Sequence, residues 1–173
     1  MDSKTLRSFE IMISRLANGS NTFEYQLNNE FFEHFEHSLI EKGKGKAFLD
    51  VVKSETMMQL SFRIDLTIEM ECDISLKKFD HQIEVENELI IKFGPEEKEL
   101  SEDVIVIRSD AQFFNVAGYI YEFCSLEVPM KSIHPDIEAQ ERPDLYYGTP
   151  EEEETEVSEE IDPRWAALKK LKE

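Results

Sequence analysis

Two cysteines in 173 residues are too few for a disulfide framework, so Cys72 and Cys124 are expected to be free thiols in a reducing compartment, the cytoplasm. Cations are scarce as well: 19 Lys and Arg stand against 38 Asp and Glu, a formal charge of −19. A chain of this balance repels phosphate at long range, which argues against DNA and against any broad nucleic-acid face. Basic partners, or RNA met through a local cluster of lysines, are favoured instead. No apolar run approaches the ~20 residues that cross a bilayer, and MDSKTLRSFEIMISRLANGS at the N-terminus lacks the unbroken apolar stretch of a signal peptide. No membrane association is expected. G-x-S-x-G, H-E-x-x-H and dinucleotide fingerprints are all missing. Carboxylates are so abundant that no catalytic pair can be singled out, and the expected role is non-enzymatic.

What is present is enough for one packed domain with appendages, since 40% of residues are hydrophobic and 10% aromatic. Charge divides the chain unevenly. Residues 1–136 carry a net −12, residues 137–163 a net −10, and residues 164–173 a net +3. The expected organisation is a β-rich domain over 1–136, an acidic flexible linker over 137–162, and a short basic docking helix over 163–173. No internal repeat is evident.

Period-two alternation dominates the first part. The stretch 5–14 reads as a first strand, with Phe9, Ile11 and Ile13 on one face, and after the ANGSN turn residues 22–27 repeat the pattern. Residues 28–43 shift to helical spacing, with Phe31, Phe35 and Leu39 four apart and Asn28 or Asn29 as caps. A strand resumes near Ala47. The clearest signal follows: over 56–72 every even position from Met58 to Cys72 is apolar, and the odd positions are nearly all polar. That is a long strand with one wet face. Its hairpin partner is 81–93, bearing Ile83, Val85, Leu89, Ile91 and Phe93. GPEEKELSED reads as a loop and 104–107 as a short buried strand. Val116, Ile120, Phe123 and Leu126 predict a helix over 114–129 that Pro129 stops. The class is α+β: a mainly antiparallel curled sheet or partial barrel with two packed helices.

Several constellations invite a chemical reading, and most are better explained plainly. Cys72 opens C-D-I-S, where a hairpin tip would place half a zinc site had position 75 been cysteine rather than Ser75. His34 and His37 fall three apart but are better read as a solvated helix face, and His134 as a loop residue without a nucleophile beside it. Lys42, Lys44 and Lys46 surround a glycine turn that lacks the phosphate-cradle pattern. Together with Lys77 and Lys78 at the hairpin tip, they are the candidate RNA contacts.

The C-terminus is more specific. EEEETEVSEE, at 151–160, holds seven glutamates and cannot bury enough to fold. Asp162 and Pro163 then suit a helix start, and Trp165, Leu168 and Leu171 share a face, with Arg164, Lys169, Lys170 and Lys172 supplying charge. A helix so short is ordered mainly by what it binds. Arg164, Trp165, Leu168, Lys169, Leu171 and Lys172 are the candidate partner-binding residues, the cations favouring a partner over the alternative of a strap packed back onto the chain's own body.

Read in order, Glu71, Cys72, Ser75 and Phe79, then a helix running into LEVPMKSIHP (126–135) with Pro129, Met130, Lys131 and His134, then DPRWAALKKL (162–171), resemble the bacterial YceD-like family, the large ribosomal RNA subunit accumulation proteins. The resemblance runs from about residue 45 to the end. It implies a non-enzymatic role in accumulation of 23S ribosomal RNA and in ribosome assembly, with a large-subunit ribosomal protein, an assembly intermediate or rRNA as partner. Many relatives carry C-x-x-C at the hairpin and further cysteines beyond the P-M-K-x-x-H segment, which together look like a zinc site. Ser75 and the cysteine-free IHPDIEAQERPD (133–144) depart from that pattern, and no metal or other cofactor is expected here.

Overall fold

A computed structural model describes residues 6–138. The acidic stretch and the C-terminal segment, with Arg164, Trp165, Leu168, Lys169, Leu171 and Lys172, lie outside the described residues.

The centre of the fold is a hairpin of two very long strands, β4 (Met57–Glu71) and β5 (Lys78–Gly94), antiparallel from Met57 opposite Lys92 to Glu71 opposite Lys78. On one side β3 (Gly43–Lys53) pairs with β4, and β2 (Gly19–Leu27) pairs with β3, both antiparallel. On the other, β7 (Val104–Arg108) runs parallel to β5 and β6 (Lys98–Ser101) pairs antiparallel with β7. The order β2-β3-β4-β5-β7-β6 makes a curled sheet that does not close on itself. A small second ladder joins β1 (Glu10–Met12) to β8 (Phe113–Asn115).

The parity expected of β4 holds. Met58, Leu60, Phe62, Ile64, Leu66 and Ile68 are all buried, and across the ladder so are Ile83, Val85, Leu89 and Ile91. Because side chains alternate between faces, one face of the hairpin is a continuous apolar surface and the other is wet. The apolar face is covered by Phe31 and Phe32 of α1 (Asn29–Phe32) and by Ile120, Phe123 and Cys124 of α2 (Ala117–Leu126). Phe62 meets Phe123 edge-on with ring centres 5.2 Å apart, joining sheet and helix at the middle of the core.

Several boundaries differ from the sequence-based expectation. The first strand is only Glu10–Met12, because the chain turns into a 3-10 segment at Ile13–Arg15. The helix expected over 28–43 is a single turn. Asn28 caps it, its side chain accepting from the Phe31 N–H at 3.0 Å. Beyond it, His37 adopts a left-handed backbone, the Ser38 hydroxyl donates to the Ile40 carbonyl at 2.8 Å, and Leu39 is exposed. Phe35 is held instead by stacking on Tyr121 at 4.0 Å. The second helix is shorter than 114–129: Asn115 Oδ1 accepts from the Ala117 N–H at 2.8 Å, and Leu126 is exposed rather than part of the apolar stripe. The loop expected over 94–103 contains β6.

The glycine stretch 43–46 is strand, not turn. Gly45 faces β4 so closely that a Cβ would run into the Asp65 carbonyl and the Leu66 Cα. Here glycine serves close backbone approach, which a sequence reader takes for flexibility.

Candidate functional site

At the far end of the β4–β5 hairpin the chain turns tightly between Cys72 and Lys77. The Cys72 N–H donates to the Lys77 carbonyl at 2.9 Å, and the Leu76 N–H donates back to the Cys72 carbonyl at 2.8 Å. The segment after α2 closes over this tip. Asp73 and Ser132 are joined twice: the Asp73 N–H donates to the Ser132 carbonyl, and the Ser132 N–H to Asp73 Oδ2, each at 2.8 Å. The His134 N–H donates to Cys72 Sγ at 3.3 Å, and its ring lies edge-on to Phe79 with centres 5.4 Å apart. Cys72, Phe79 and His134, separated by up to 62 residues, thus meet in one clamp.

The thiol at the centre of this clamp is fully buried. The buried Ser75 Oγ has no partner in ordinary hydrogen-bonding geometry, yet its approach is the largest influence bringing the Cys72 pKa down to about 7. Backbone N–H groups of Ser75, His134 and Ile74 act in the same direction, against burial. Cys124, inside the core, is pushed by burial up to about 12. The donor set does not fit a zinc ion. Cys72 is a lone thiol, His134 Nδ1 accepts the Asp136 N–H at 3.1 Å, and among the described residues no group of three His, Cys, Asp or Glu is placed to hold a metal.

Two lysines meet near this tip. Glu69 Oε1 takes both Lys78, at 2.8 Å, and Lys42, at 3.1 Å, and these two hydrogen bonds hold its carboxyl below the ordinary range. Lys46 pairs with Glu24 at 2.8 Å. Lys44, opposite Thr67 in the ladder, and Lys77, in the turn, are exposed. The structure thus brings Lys42 and Lys78 together through a shared carboxylate, so part of the expected positive cluster is neutralised where it stands.

Apolar side chains are exposed at the same end, a feature sequence reasoning missed. Ile74 and Leu76 project from the tip, and Leu126 and Met130 lead into the clamp. A shallow groove of about 400 Å³ adjoins it, lined by Leu39, Met70, Val128 and Ser132 with Glu69 and Lys78 at its rim. Pro129 and Met130 therefore set a loop in which Met130 is exposed, as is Lys131. Glu71, the last residue of β4, lies opposite Lys78.

No curated protein and no solved structure matches the chain. A family profile does: that of the large ribosomal RNA subunit accumulation protein YceD, over residues 60–172. The matched span takes in both long strands' shared core, the clamped tip and the segment that closes on it. On that match, which covers more than half of its length, the chain belongs to the YceD family.

Proposed function

We propose that this protein acts in accumulation of large-subunit (23S) ribosomal RNA as a non-enzymatic assembly factor, holding a ribosomal protein or an assembly intermediate. Family membership supports the process. The observation that carries the binding role is the clamped tip: backbone and side-chain hydrogen bonds rigidify a loop pair whose outward residues, Ile74, Leu76, Leu126 and Met130, are large and apolar. Exposed apolar groups on a fixed frame suit a partner surface. The thiol of Cys72 is enclosed and accepting hydrogen bonds, which suits a structural part better than a nucleophile.

In this reading the acidic body shields a basic ribosomal protein, and Arg164, Trp165, Leu168, Lys169, Leu171 and Lys172 add a second contact. Arg and Trp are the side chains that most often dominate binding energy. Direct RNA binding through Lys42, Lys44, Lys46, Lys77 and Lys78 is the second reading. It is weakened by the Glu69 and Glu24 ion pairs.

Capture of the tagged full chain from lysate, with RNA and protein identified separately, tests the proposal. Co-purification of large-subunit particles or of a basic ribosomal protein is expected. Truncation after Glu160 should leave the melting temperature nearly unchanged and abolish that association. Naked RNA as the captured species, lost steeply and log-linearly with salt, would replace the first reading by the second.

A further inference from the structure

The long strand β5 is paired on both sides for only part of its length. Its β4 ladder is unbroken from Lys78 to Lys92, whereas β7 begins opposite Ile90 and runs only to Gly94. The Ile90 N–H donates to the Asp103 carbonyl at 2.8 Å on the β7 side, and the Phe93 N–H to the Thr56 carbonyl at 3.0 Å on the β4 side. In a regular strand these directions alternate. Asp80, Gln82, Glu84, Glu86 and Glu88 therefore point their backbone N–H and C=O groups to the side β7 does not reach. Among the described residues nothing pairs with them.

Side chains of the same five residues lie on the wet face, all exposed and four of them carboxylates. Glu88 accepts from Gln59 at 3.2 Å; Arg63, across from Glu86, is turned to Asp50 at 3.2 Å. Glu84 and Glu86 have no cationic partner among the described residues, and Glu84 stands opposite another acid, Asp65. A groove of about 590 Å³ crosses Glu86 and Glu88 to Asp103. Open edges are commonly blunted by lysine, proline or a bulge. Along Asp80–Glu88 this one carries four acids and Gln82, and the Lys78 beyond them is held by Glu69; such a row repels a second copy of itself and attracts a basic strand.

We propose that an extended, Lys/Arg-bearing segment of a partner protein adds to the sheet along Asp80–Glu88, in line with β7. The proposal rests on the binding role proposed above and gives it a mode. Backbone hydrogen bonds supply the register, and the carboxylates at every second residue select basic side chains on one face of the incoming strand. The slot is roughly 30 Å long at the rise of a strand.

The test uses the full chain and a nine-residue peptide alternating lysine and threonine. An added strand turns only every second N–H toward β5. N-methylation of one alternate set should weaken binding at least tenfold, while methylation of the other set leaves it unchanged. Amide exchange at residues 82, 84, 86 and 88 should be fast in the free protein and slowed by the peptide. Glu86→Pro, which removes an outward N–H without touching the β4 ladder, should cost at least tenfold, and Glu86→Gln less. Equal loss from both methylated peptides, full binding by Glu86→Pro, or amides already protected in the free chain would each overturn the proposal, the last in favour of cover by the chain's own segment. Retention of Glu86→Pro on large-subunit particles would overturn the edge as the partner contact and leave the assembly role standing. Failure of the unaltered chain to associate with particles, alongside edge-specific peptide binding, would overturn the assembly role alone.

Discussion

Leu66 and Thr67 are neighbours in β4 whose substitutions should differ several-fold in cost. Leu66 is buried between Gly45 and Ile83, while Thr67, half-exposed, lies between Lys44 and Gln82 on the wet face. Truncating Leu66 to alanine removes a buried side chain from beneath two neighbouring strands. Gly45 has no side chain to lean into the space, and its backbone already touches β4. The cost should therefore be about 2–5 kcal/mol, toward the upper part of that range. Thr67→Ala removes groups already partly hydrated and should cost about 0.5 kcal/mol or less. Against a total of roughly 5–15 kcal/mol, the first is severe and the second barely visible. In urea melts with a slope of about 2 kcal/mol/M, the midpoints should fall by about 1–2.5 M and about 0.2 M respectively. Leu66→Asp, which also buries a charge, should leave the protein unfolded in the absence of urea. Equal midpoint shifts for the two alanine variants, at unchanged slope, would refute the assignment of faces and with it the register of the whole sheet.

The folded pKa of Cys72, about 7, lies below its ordinary value of 9.0, so between those pH values the unfolded chain binds more protons. Stability should accordingly rise with pH across that window and be lost as pH falls through 7; melts of Cys72→Ala should lack this slope, and an unchanged slope would move its origin elsewhere. Asp73→Ala removes the carboxylate that accepts the Ser132 N–H, and should cost about 1 kcal/mol while releasing amide protection at Ser132, read by hydrogen exchange. Glu69→Gln frees Lys42 and Lys78 from their shared carboxylate. If those lysines touch RNA, the salt slope of RNA binding should steepen by about one contact, and an unchanged slope would remove them from the interface.

The hairpin was legible in the sequence because one of its faces is wet. A strand buried on one side must alternate, and Met58 to Ile68 alternate without exception. Direction leaves no such trace. The chain reverses after Gly94 and again at Glu102–Asp103, so β7 returns parallel to β5; periodicity is the same in either sense. β6 reads as loop from its sequence because KELS holds a single apolar residue, leaving no apolar rhythm to detect, and all four side chains are exposed. The spacing of Phe31 and Phe35 does mark a shared side, but Phe35 reaches it by stacking on Tyr121 across the fold, a tertiary contact that imitates a helical one.

The site divides along the same line. Cys72, Phe79 and His134 could be picked out through the family resemblance that their segments carry, and the fold brings all three together. The pair that fastens the clamp, Asp73 and Ser132, could not, because three of the four groups involved are backbone and backbone is the same at every position. The open edge of β5 is less legible still. The sequence displays its acids, but what makes them an edge is the place where another strand begins. Val104 pairs with Ile90 rather than with a residue nearer the tip, and that choice leaves Asp80 to Glu88 without a partner on one side among the described residues. Had β7 extended by eight residues, the same glutamates would be an ordinary solvated face. Shape therefore decides whether this row of charges is decoration or a docking rail, and the alternate methylation of a basic peptide separates the two because charge alone is indifferent to which amides are blocked.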